Sequence, residues 1–178
     1  MEKVCPLTFD GTINTDMFHF RKRKLTKRRL NRLSNQKIKN ELPANYEELK
    51  KAANRTSSWR ERFDAVEELG QYKHSKVIDV LTTRMTKDPV YKIQDAAYRY
   101  LKGFGEDVKK PTQTKFDIIK GTSKTLLRIK KSLPAGHSYE EFKEKLKKMR
   151  LDVYDAYEGE KGSDFDKWLE NEWASLLK

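Results

Sequence analysis

The chain has 178 residues, 37% of them charged, and a formal net charge of +12. Mean hydropathy is −0.94. No apolar run approaches the ~20 residues of a membrane span, and no continuous apolar segment of the signal-peptide kind follows the first charges. Three Trp, eight Tyr and eight Phe still supply enough large apolar surface for one domain with a core.

The charge is unevenly spread. Residues 1–45 hold 11 basic and 4 acidic side chains, residues 46–108 hold 12 and 11, residues 109–150 hold 13 and 4, and residues 151–178 hold 3 and 8. A balanced middle is therefore flanked by segments of +7 and +9, which favour polyanionic partners. The single Cys5 cannot form an internal disulfide, and the expectation is a reducing, cytoplasmic setting.

Residues 1–42 read as a basic, largely disordered extension. Arg21, Lys22, Arg23, Lys24, Arg28 and Arg29 form its densest run, and Leu25, Leu30, Leu33 and Ile38 are too sparse to bury much. Three readings fit it: a solvated tail, an arm holding nucleic-acid phosphates, or a nuclear localisation signal.

Folded structure is expected from Pro43. Asn45-Tyr46-Glu47-Glu48 has the form of a capping box, and Tyr46, Leu49 and Ala53 give a short amphipathic helix. Ser57 or Ser58 caps a second helix running to Leu69, with Gly70 as its stop. Trp59 reads as a staple against the preceding short helix. Val77, Ile78, Leu81 and Met85 mark a third helix. Asp88-Pro89 opens a fourth, carrying Val90, Ile93, Ala97, Tyr100, Leu101 and Phe104.

Arg62, Ala65 and Leu69 fall on Gln94, Ala97 and Leu101 at a constant spacing of 32 residues. A helix, a turn and a second helix fill such an interval. The stretch resembles a HEAT repeat of the short bacterial, PBS-lyase-like type. The matching residues are Asp88-Pro89, Arg62, Ala65 and Leu69-Gly70, with Ile93, Ala97 and Leu101 in the later unit. Gln94 and Glu61 depart from that pattern. The resemblance implies stacked helix pairs over residues 43–108 and a binding role without an active site.

Residues 109–178 read as helices that pack on and cap the repeats. A basic helix is expected over 112–132, with Phe116, Ile119, Leu126, Ile129 and Leu133 as its apolar stripe and Gly121 as a kink or close contact. Lys120, Lys124, Arg128 and Lys131 then share the opposite face and form the best polyanion-binding candidate in the folded part. Ser138-Tyr139-Glu140-Glu141 is a full capping box. It opens a long helix with Phe142, Leu146, Met149, Val153 and Tyr157 inward and Lys143, Lys147 and Arg150 flanking, ending at Gly159 to Gly162. A last helix with Phe165, Trp168, Leu169 and Trp173 is expected to seal the open end of the repeats.

No catalytic constellation stands out. His19, His74 and His137 are scattered, one Cys excludes a thiolate zinc cluster, and neither a P-loop nor a nucleophile elbow is present. The expectation is an all-α protein without cofactor or enzymatic activity, most simply a monomer. Its first reading is an interaction module that binds another protein, with Arg62, Lys92, Gln94 and Arg99 lining a groove. The alternative is sequence-nonspecific binding of RNA or DNA through the basic arm and the basic helix.

Overall fold

The computed structural model describes residues 38–113 and 118–176. Their regular elements are helices: α1 Tyr46–Ala53, α2 Trp59–Leu69, α3 Ser75–Lys87, α4 Tyr91–Gly103, α5 Thr122–Lys131, α6 Tyr139–Met149, α7 Leu151–Lys161 and α8 Phe165–Ser175, with one 3₁₀ turn at Gly162–Asp164. No strand occurs among them. An isolated parallel bridge pairs Lys39 with Tyr72. The six cationic candidates from Arg21 to Arg29 lie outside the described residues.

The first four helices share one core. α1 packs on α2, α3 packs on α4, and α2 and α4 pack on each other. Ala65 and Ala97 are both buried in this cluster, with Leu69 and Leu101 one turn further along. Small side chains there let the two helices approach closely, and each fully buried Leu adds about 1.5–3 kcal/mol. α2 ends at Leu69 with Gly70 as its C-cap, as expected, although Gly70 is in ordinary right-handed conformation. A Cβ there would collide with the Tyr100 ring.

α5, α6 and α8 close a second cluster around Leu126, Phe142, Leu146, Val153, Tyr157 and Leu169. Trp168 stacks on Tyr157 with ring centroids 4.4 Å apart and planes 2° from parallel. α7 belongs to both halves of the fold, because it also packs on α2 and α4. Val153, Tyr154 and Tyr157 face the second cluster, while Asp155, Glu158 and Gly159 meet α2 and α4. At 100° per residue the two sets occupy adjoining arcs whose centres are roughly 140° apart.

Several expectations are corrected. The basic helix begins at Thr122, because Gly121 has φ +79° and ends helical geometry on its N-terminal side. Residues 114–117, including Phe116, lie outside the described residues. The long helix over 139–157 is two helices broken at Arg150, which has φ −141° and ψ 64°. Of the expected stop at Gly159 to Gly162, Gly162, with φ +57°, ends α7, and Gly159 sits inside it. The α8 helix packs on α6 and α7, so α7, not α8, covers the first four helices. Asn45 makes no cap bond, and its amide donates to Glu68 at 2.9 Å. The Ser138 box forms as expected. Trp59 does not simply staple α1. Its backbone N–H and its indole N–H donate to Asp155 and Glu158 on α7, at 2.6 and 3.1 Å.

Candidate functional site

Of the four groove candidates, Arg62 is buried, Gln94 is half-buried, and Lys92 and Arg99 are exposed. Arg62 is 2% exposed. Its Nε donates to Asp88 at 3.1 Å and its Nη1 donates to Asp155 at 2.9 Å. Gln94 donates to the Asp88 carbonyl at 2.6 Å. The ammonium of Lys92 lies over the rings of Trp59 and Phe63, 5.0 and 4.4 Å from their centroids. Arg99 pairs with Asp95 at 3.1 Å along its own helix. Of the four, only Arg62 is closed to a partner by burial. Part of the surface that α2 and α4 would offer a partner is occupied by α7 itself.

Buried charge concentrates where that contact is made. Arg84 also approaches Asp88, at 3.5 Å. Two cations and two carboxylates thus neutralise one another beneath α7. Burial lowers the Arg84 pKa, against the pull of Asp88. α7 also caps its neighbours. Asp155 accepts from the first amide of α2, and Glu160 accepts from Tyr91 N, the first amide of α4, at 2.8 Å. Both carboxylates meet the positive ends of helix dipoles. This cluster is structural: its groups face one another and are closed to a ligand.

The open cation cluster lies elsewhere. α5 and α6 run antiparallel, as two contacts fix: Lys145 donates to the Ser132 carbonyl at 2.9 Å, and Arg150 donates to the Thr125 hydroxyl at 3.2 Å. Between the start of α5 and the α6–α7 junction is a cleft of about 500 Å³, lined by Lys124, Thr125, Arg128, Ile129, Met149 and Arg150. Lys124 and Arg128 are exposed and one helical turn apart. No carboxylate lines the cleft, although Asp152 holds the Arg150 guanidinium at 2.8 and 2.9 Å. That pairing raises Arg150 and lowers Asp152 from their ordinary values.

Two of the four stripe residues therefore reach the cleft. Lys120 sits in the turn before α5, exposed but off the helix. Lys131 lines a different hollow, with Lys130, Leu133 and His137. Lys130 is absorbed structurally, donating to the carbonyls of Trp173 and Leu176 at the end of α8. Arg150 and Met149 are the cleft residues that sequence reasoning missed. The helix break that exposes them carries no Gly or Pro.

Among the described residues no group of three or more His, Cys, Asp or Glu is placed to hold a metal, and no helix is long and apolar enough to cross a membrane. No family model, curated protein or solved structure matches the chain.

Proposed function

We propose that the protein binds a phosphate-bearing polyanion, RNA or DNA, through the cleft between α5 and the α6–α7 junction. The observation that carries this reading is the convergence of Lys124, Arg128 and Arg150 on one concave surface with no lining carboxylate. The net charge of +9 over residues 109–150 supports it by steering polyanions toward this face. Guanidinium groups suit phosphate because their paired donors match its oxygens. Contacts of this kind fix position without reading sequence.

The test is fluorescence anisotropy of a labelled oligonucleotide over a salt series. Log affinity should fall linearly with log salt. Charge reversal at Lys124→Glu with Arg128→Glu should weaken binding at least about tenfold and flatten the slope by about two phosphate equivalents. An unchanged slope would place the contacts elsewhere.

α1–α4 are also read here as two HEAT-like units. Supporting this are the contacts between α2 and α4 and the shared burial of Ala65 and Ala97. On this reading the units form a scaffold for α7 and, through it, for the cleft.

A further inference from the structure

Met149 is 51% exposed and Leu151 is 43% exposed. Apart from Ile38, they are the only large apolar side chains so exposed among the described residues, and they flank Arg150. Met149 is the last residue of α6 and lines the cleft together with Lys124, Arg128 and Arg150. The site thus joins phosphate-binding groups to an exposed apolar side chain inside a concavity, a combination that phosphate contact alone does not require.

We infer that the cleft receives an unpaired nucleotide, with its phosphate held by Lys124, Arg128 and Arg150 and its base laid against Met149. The inference rests on the polyanion reading above and adds the class of nucleic acid. The cleft, about 500 Å³ and open to solvent, has room for one nucleotide. A duplex keeps its bases stacked inside a stiff cylinder and presents only its backbone to such a hollow. A single strand can splay one base into it. The thioether of Met149 is flexible and polarisable, so it adapts to any base face and confers little sequence preference. A bilayer surface also offers phosphates and apolar groups, but it is broad and flat and does not fill a concavity.

The experiment is a competition on the full chain. A fluorescent single strand of about 12 nucleotides is displaced by the unlabelled strand, by a duplex of the same sequence, or by phosphatidylserine vesicles. The unlabelled strand should compete about tenfold better than the duplex. Met149→Ser should weaken single-strand binding about 3–10-fold without altering the salt slope, and Met149→Leu should restore it. The exposure of Met149 keeps both changes clear of the core. Equal competition by duplex, or indifference to Met149→Ser, overturns the base-binding inference while leaving salt-dependent polyanion binding in place. Stronger competition by vesicles overturns it in favour of a lipid surface. Absence of salt-dependent binding to either nucleic acid overturns both readings together.

Discussion

Arg62 carries a full charge to a place where it is 2% exposed, and it is held there by Asp88 and Asp155. Removing one member of a buried ionic group leaves the others unpaired in low dielectric, which costs far more than the group contributes as a whole. Arg62→Met should therefore lower unfolding free energy by about 3–5 kcal/mol. Urea denaturation at neutral pH checks this; a loss below about 1 kcal/mol would mean that solvent reaches the cluster. Asp152 poses the opposite case at the cleft. It is half exposed and competes with any incoming anion for the Arg150 guanidinium. Asp152→Asn should tighten oligonucleotide binding about 2–5-fold, the range of an exposed ion pair, as read by anisotropy at low salt. Weaker binding would show that Asp152 orients Arg150 for its ligand.

At the scale of elements, α7 decides how the two clusters join. It packs against α2 and α4 through Gly159, where a Cβ would lie 2.8 Å from Trp59 Cγ and 2.9 Å from Val90 Cγ2. Gly159→Ala would raise helix propensity and still destabilise, by about 1–3 kcal/mol, because overpacking outweighs the local gain. Thermal melting of that variant provides the check, and a raised Tm would contradict the close approach. The sequence made the helices themselves legible. Amphipathic spacing marked α2, α3 and α4, the Ser138 capping box marked the start of α6, and the 32-residue register placed Ala65 and Ala97 in one core. Other features were hidden by their physics. Gly159 looked like a stop, since a glycine chosen for close approach is indistinguishable in sequence from one chosen for positive φ. The break at Arg150 is held by side-chain bonds to Asp152 and Thr125, which no local pattern announces. Arg62 looked like a surface cation because its partners lie 26 and 93 residues away.

At the scale of the whole molecule, acidic side chains of the C-terminal segment tie α7 and α8 to their neighbours. Several of its carboxylates sit below their ordinary pKa. In Glu158, burial pushes upward, but bonds from Arg60 and Trp59 outweigh it. In Asp166 the Lys143 hydrogen bond dominates the lowering. A carboxylate lowered in the folded state contributes stability above its unfolded pKa and loses it as pH falls through the folded value. Ordinary values are 4.5 for Glu158 and 3.8 for Asp166. Tm should therefore drop on acidification below about pH 4.5, and Glu158→Gln should make that drop shallower. A melting series across acid pH tests this, and a profile for Glu158→Gln parallel to the parent's would remove the α7 contact as its source.

The cleft reading is tested most directly by nuclear magnetic resonance of the ¹⁵N-labelled full chain titrated with a short single-stranded oligonucleotide. The account predicts that the amides of Lys124, Thr125, Arg128, Met149 and Arg150 shift together with one saturation curve, while those of Arg62, Gln94 and Arg99 stay in place. Shifts that leave the first group still and appear on α2 and α4, or only among residues 1–37, would contradict it.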